Sequence, residues 1–260
     1  MRWLRYEYQG ETSYGLVEGD EVQPVRGTPF DDFEASGRRL AMDAVKVLIP
    51  VEPRTFYAVG LNYIKHISEA AELLGTTVDV PANADIGYRA VNALVADGEA
   101  IVIPKDASEK VQYEGELVVV IGRRAKGLSE AEALDCVLGY TIGNDVSERT
   151  WQASDRTLWR AKNTDTFKPM GPWIETEVDL DALRTTVRVN GEVKCAFATN
   201  EMIFSVATFI ARMSRYLTLY PGDVVWMGAD GPTENIKAGD TVAVEIDGIG
   251  VLTNPVVAAS

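Results

Sequence analysis

Short apolar runs broken by glycine, proline and Asn-Gly or Asp-Gly pairs dominate the chain, and few stretches carry a helical period. Residues 3–8 and 15–17 alternate as strands do, and Glu18-Gly19-Asp20-Glu21 predicts a turn before Val22. Residues 28–48 are mixed, and 29–36 reads as loop or a short turn of helix. Pro50 and Pro53 mark a boundary between a small N-terminal β domain, residues 1–52, and a larger one, residues 53–260. Residues 55–59, 101–103, 117–121 and 224–227 are short apolar strands, and 76–100 is loop-rich. Strand 183–189 meets Asn190-Gly191, a strong hairpin turn, and residues 241–246 and 250–252 flank Asp247-Gly248. Helical spacing appears at 66–74, stopped by Gly75, and at 203–217, where Ile203, Val206, Ala207, Ile210 and Met213 form a core-facing stripe. Ser129-Glu130-Ala131-Glu132 fits a capping box and opens a helix through Val137. The pattern is α+β and β-rich.

Composition narrows the function. A chain of 260 residues, 46% hydrophobic, can bury a sizeable core. Its net charge of −14 argues against nucleic acid and anionic membrane surfaces as partners. An anionic substrate then requires local cations. Cys136 and Cys195 have no metal-ligand spacing and read as reduced thiols of a cytoplasmic protein. The N-terminal residues lack a signal peptide's apolar core, and no apolar run approaches a membrane span.

Against that background, acidic residues beside buried strands stand out. Glu114 and Glu116 precede the β-branched run 117–121 and share one face of an extended chain, about 6–7 Å apart at the backbone. Two carboxylates at the mouth of a buried strand repel and resist ionisation unless a cation lies between them. Oxygen donors suit Mg²⁺ or Mn²⁺ rather than zinc. A solvated strand end is the plainer alternative. Asp145 follows Gly143-Asn144 at a strand end, where an Asx-turn or helix cap would also explain it. His66, the sole histidine, lies three residues before Glu69, one helical turn apart; an ordinary surface ion pair would look the same. Arg149, Arg156, Arg160, Lys162 and Lys168 outnumber Asp155 and Asp165, which makes either a carboxylate-attracting patch or a solvated basic face.

The stretches Glu114-Gly115-Glu116, Asn144-Asp145-Val146-Ser147-Glu148-Arg149 with Gln152, and Lys162 leading into Asp165-Thr166-Phe167 and Gly171-Pro172-Trp173, together resemble the fumarylacetoacetate hydrolase family. Gly60-Leu61-Asn62-Tyr63 with His66, and Pro221-Gly222-Asp223, add to the match, which spans about residues 53–257. The resemblance implies a mixed β-roll core and a homodimer. It makes Glu114, Glu116 and Asp145 ligands of Mg²⁺ or Mn²⁺, and His66, Glu69 and Lys162 catalytic. Gln152, Arg149 and Arg89 become substrate-binding, with Arg89-Ala90 standing where many relatives carry Lys-Pro. The implied activity is hydrolysis or lysis of a C–C bond in a small anionic 2-oxo acid or 1,3-dioxo compound, through a metal-stabilised enolate. Isomerase, hydratase or decarboxylase activity shares that enolate. A binding protein with altered catalysis is a further alternative, because Gly228-Ala229 replaces a common Gly-Thr pair whose hydroxyl helps bind a substrate carboxylate. A serine hydrolase is excluded by the lack of a Gly-x-Ser-x-Gly elbow.

Overall fold

The apolar run after Glu116 becomes the centre of the molecule. Strand Gly115–Ile121 is buried along its whole length and pairs antiparallel with Val137–Asn144 on one side and Val224–Trp226 on the other. In this computed structural model, which describes residues 1–65, 67–68, 77–231 and 233–260, that trio is the middle of a large mixed sheet. Beyond Val137–Asn144 the sheet continues through Lys168–Glu175 to Arg2–Tyr8, Glu11–Glu18 and Glu21–Arg26. Beyond Val224–Trp226 it continues through Phe56–Val59, in parallel, to Ile86–Tyr88. The N-terminal strands thus extend the main sheet directly, with Trp3 opposite Ile174. A second sheet holds Ile101–Ile103, Gly250–Ala258, Thr241–Ile246, Arg184–Val189 and Glu192–Ala198 in that order.

Alternation along the central strand explains how both sheets share a core. Leu117, Val119 and Ile121 join the cluster of Val187, Val244, Ile246 and Leu252 from the second sheet. Val118 and Val120 point the other way, toward Trp3, Phe56, Met170, Ile174 and Trp226. A strand buried on both faces reads as a continuous apolar run, as this one does. Gly115 marks the closest approach of the second sheet, since a Cβ there would lie 2.8 Å from Val187 and 2.9 Å from Val244. Gly143 does the same on the opposite face, where a Cβ would lie 2.6 Å from the Trp226 ring. Gly143→Ala is therefore expected to cost about 1–3 kcal/mol through overpacking. A thermal melt of the metal-free variant checks this; an unchanged Tm would show that Trp226 can yield.

Among the described residues the helices are few. Val206–Tyr216 buries Val206, Phe209, Ile210 and Met213. It begins three residues later than the apolar pattern suggests, because Ser205 Oγ accepts from the Thr208 N–H at 3.2 Å and caps it there. Similarly, the helix expected through Val137 stops early: Glu130–Ala133 is α-helical, Leu134–Cys136 is a 3₁₀ turn, and Val137 already begins a strand. Pairing explains the shortening, since Gly122 N–H donates to Cys136 O at 2.7 Å and Val137 must reach Ile121. The hairpin at Asn190-Gly191 forms, with φ of 53° and 81° at its two central residues. The helix expected at 66–74, with His66 and Glu69, lies outside the described residues apart from Ile67 and Ser68. No described helix is long and apolar enough to cross a membrane.

Candidate metal centre

Three strand ends bring the acidic residues together. Because Gly115 turns toward the second sheet, Glu114 and Glu116 share the opposite face of their strand. The antiparallel neighbour places Asn144 opposite Gly115, so Asp145 emerges beside Glu114. Two bonds lock that register: Asn144 Oδ1 accepts from Glu114 N–H at 3.0 Å, and Glu114 O accepts from Asp145 N–H at 2.8 Å. Glu116 Oε2 accepts from Gly228 N–H at 2.9 Å, which brings in the end of the Val224–Trp226 strand. One carboxylate oxygen from each of Glu114, Glu116 and Asp145 lies within 4.8 Å of the others, and all three residues are buried.

Among the described residues, four cations surround this triad. Lys162 Nζ bridges Glu114 and Asp145, at 2.9 Å from the latter. Lys168 Nζ lies 2.7 Å from Asp145 Oδ1, and Arg89 Nη2 lies 3.1 Å from Oδ2. Arg149 Nη2 reaches Glu114 Oε1 at 2.7 Å. Arg149 is itself braced: its Nε donates to Gln112 Oε1 at 2.7 Å and its Nη1 to Gln152 Oε1 at 2.8 Å. Lys162 rises from a loop organised by Asp155, whose Oδ2 accepts from the N–H groups of Arg160 and Ala161, each at 3.1 Å. That loop is stitched to the Arg89 segment through Ala90 N–H, which donates to Asn163 Oδ1 at 2.7 Å.

The basic stretch 149–168 is therefore not one face. Arg149, Lys162 and Lys168 converge on the triad, whereas Arg160 pairs with Asp155 at 2.8 Å and lies over the Trp151 and Trp159 rings. Charge reading of the sequence did not single out Lys168. It is fully buried, and its ammonium also donates to Val146 O at 2.8 Å and Phe167 O at 2.9 Å. A lysine inside the apolar run Phe167-Lys168-Pro169-Met170 was the available signal. The Gly228 N–H and Gln112 carried no signal of comparable kind. Ala229, where the family resemblance leads one to expect a threonine, follows Gly228 directly and so adjoins the Glu116 anchor.

Electrostatics set the carboxylates apart. Burial, then repulsion from Asp145 and Glu114, push the Glu116 carboxyl up to about 8, against the pull of Lys162 and the Gly228 N–H. Burial alone would raise Asp145 too, but Arg89, Lys162 and Lys168 hold it well below the usual carboxylate range. Burial pushes the Lys168 ammonium down to about 8, with Asp145 opposing. The donor set is three hard carboxylate oxygens, one of which lacks the positive charge it needs to ionise near neutrality. That set fits Mg²⁺ or Mn²⁺, whose metal–oxygen distances are about 2.0–2.2 Å. Among the described residues no cysteine is part of it.

A sign follows for the metal-free protein. Glu116 is about 8 when folded and near its ordinary value of 4.5 when unfolded, so its neutral form contributes stability that is full below pH 4.5 and is lost as pH rises toward 8. The Tm of metal-stripped protein is expected to fall across that window, and added Mg²⁺ to flatten the fall. A melt series with and without the ion checks it; a metal-free Tm that rises from pH 5 to 8 would contradict it.

Comparison with known proteins agrees with the geometry. A family model described as "Fumarylacetoacetate (FAA) hydrolase C-terminal" matches residues 55–257, and one described as "Rv2993c-like, N-terminal" matches residues 1–50. The chain belongs to the fumarylacetoacetate hydrolase family. Protein Rv2993c of Mycobacterium tuberculosis is 42% identical over 270 residues, covering 99% of this chain and 98% of that one. A protein of Rattus norvegicus named oxaloacetate tautomerase Fahd2a, mitochondrial, is 35% identical over 270 residues, covering 94% of this chain and 84% of its own. The crystal structure of a 5-carboxymethyl-2-hydroxymuconate delta-isomerase from Mycobacterium smegmatis superposes with a TM-score of 0.90 at 35% identity, covering 100% of both chains. The strand-rich mixed-sheet architecture is that of the fumarylacetoacetate hydrolase fold.

Proposed function

We propose that this chain is a divalent-metal-dependent enzyme that generates the enolate of a small anionic 2-oxo acid or 1,3-dioxo compound. The observation that carries this is the buried Glu114–Glu116–Asp145 triad ringed by Arg89, Arg149, Lys162 and Lys168. Three carboxylates against four cations leave a formal charge of +1, in a chain of net charge −14. A divalent ion raises the local charge to +3, which attracts a chelating anion. Glu114, Glu116 and Asp145 would hold the ion, which when bound supplies Lewis acidity toward a substrate carbonyl.

The chain's own residues do the rest. Arg149 and Gln152, held together, orient the substrate's anionic end. Arg89 and Lys168 fix both oxygens of Asp145. Lys162 faces the oxygen on which negative charge develops, and an ammonium there lowers the barrier most where water is excluded. Hydrolysis of a C–C bond also needs a base for water, a role the family resemblance gives to Glu69 with His66.

Isomerisation or tautomerisation is the second reading, and the relatives named as a tautomerase and an isomerase at 35% identity favour it. Both readings share the enolate, and substrate shape decides between them. The test is a panel of acylpyruvates, 2-oxo dienoates and oxaloacetate with Mg²⁺ added or chelated, products identified by mass. Cleavage gives two smaller products, decarboxylation loses CO₂, and tautomerisation leaves the mass unchanged with a changed ultraviolet spectrum. Chelator-insensitive turnover would overturn the metal-dependent reading. Metal binding without turnover across the panel would favour a binding protein with altered catalysis.

A further inference from the structure

Resting on the metal reading above, we propose that the Lys162 ammonium and the divalent ion compete for the same two carboxylates, so that ion loading releases Lys162 to the substrate. Lys162 Nζ contacts Glu114 Oε2 and, at 2.9 Å, Asp145 Oδ2. These residues supply two of the three oxygens of the triad. A divalent ion held by these same two carboxylates would be a close like-charge neighbour of an ammonium left in place. One of the two must withdraw.

The four cations are not equally able to do so. Lys168, itself fully buried, is tied to two backbone carbonyls besides Asp145, at 2.8 and 2.9 Å. Arg149 is braced by Gln112 and Gln152, and Arg89 also donates to Tyr88 O at 3.2 Å. Lys162 stands on a loop, and among the described residues its ammonium's hydrogen bonds go only to the two carboxylates. Its flexible four-carbon stem lets the head group move while the backbone stays anchored, with Lys162 N–H donating to Leu158 O at 3.0 Å. The cation that faces the substrate is thus the one that the ion displaces. Two consequences follow. Lys162 holds the ion affinity of the substrate-free protein down. An anionic chelator that accepts the displaced ammonium raises that affinity, and by linkage the ion raises affinity for the anion equally.

The experiment is Mn²⁺ binding to the metal-stripped full chain, followed calorimetrically and by the electron spin resonance signal of free Mn²⁺, for wild type, Lys162→Met and Lys162→Arg. Lys162→Met is expected to bind Mn²⁺ at least ten-fold tighter than wild type, and Lys162→Arg, which keeps the charge, to stay within about three-fold. Oxalate, a chelating dianion, is expected to raise Mn²⁺ affinity more in wild type than in Lys162→Met. Equal or weaker Mn²⁺ binding by Lys162→Met, with wild type binding measurably, would overturn the competition and leave the metal reading intact. No binding by any of the three would overturn both. Should Lys162→Met fail to fold without metal, Lys162→Gln carries the same comparison, and the oxalate enhancement in wild type stands as the independent arm; its absence would also overturn the proposal.

Discussion

Glu116→Ala is expected to lose divalent-ion binding and turnover together while leaving the metal-free fold at least as stable as wild type. The two halves have one cause. Glu116 is 2% exposed, faces Asp145 and Glu114, and holds its proton up to about 8 because ionising there is unfavourable. Removing it ends the cost of protonating that carboxyl on folding near neutral pH, and leaves one backbone donor, the Gly228 N–H, without its acceptor. The unsatisfied donor costs about 1–3 kcal/mol, and relief from that protonation cost offsets it. For the ion the balance runs the other way, since one of three anionic donors disappears. Loss of an outer-sphere partner of a metal ligand already costs about 10–100-fold in affinity, and loss of a ligand itself exceeds that. Titration calorimetry with Mn²⁺ and a metal-free melt on the same preparation check both halves. Retained turnover would remove Glu116 from the mechanism, and a collapse of the metal-free fold would show that the carboxylate is structural.

Glu69→Gln is expected to keep metal affinity and to lose hydrolysis by about 10²–10⁴-fold, the usual weight of a general base. His66→Ala should act in the same direction but more mildly, since it would orient Glu69 rather than take the proton. Both residues lie outside the described residues, so this expectation rests on their three-residue spacing and on the family resemblance. The comparison that matters is turnover against Mn²⁺ affinity in the same variant. A full hydrolytic rate in Glu69→Gln would dismiss it as the base; a loss of metal affinity would give it a structural part instead.

Much of this site was legible in the sequence, for reasons that differ between residues. Glu114 and Glu116 were readable because strand periodicity alone puts residues two apart on one face, and the apolar run after them declared the strand buried. Asp145 needed the antiparallel register that sets Gly115 opposite Asn144, which no local pattern encodes; motif resemblance supplied it. Lys168 was passed over because a lysine inside a cationic stretch looks solvated until its strand is known to lie inside the sheet, next to Val137–Asn144. The Gly228 amide is invisible to any reading of side chains. At the level of fold, the Asn190-Gly191 hairpin followed from turn chemistry, whereas the apolar stripe from Ile203 did not show that Ser205 caps the helix and starts it at Val206. The joining of the N-terminal strands to the main sheet through Trp3 and Ile174 is a long-range pairing, and periodicity does not choose long-range partners.

The charge balance also explains why one site serves an acidic protein. With a net charge of −14, the surface repels anions at long range, a repulsion screened beyond about 8 Å at physiological salt. Under the proposed function, Arg89, Arg149, Lys162 and Lys168 would supply the local positive charge that an anionic substrate needs.

The most direct test is anomalous diffraction from crystals grown with Mn²⁺. A single strong peak about 2.0–2.3 Å from one oxygen each of Glu114, Glu116 and Asp145, with the Lys162 ammonium turned away, is the predicted result. A density map with no manganese among those three side chains, or with the ion bound elsewhere, would contradict the account.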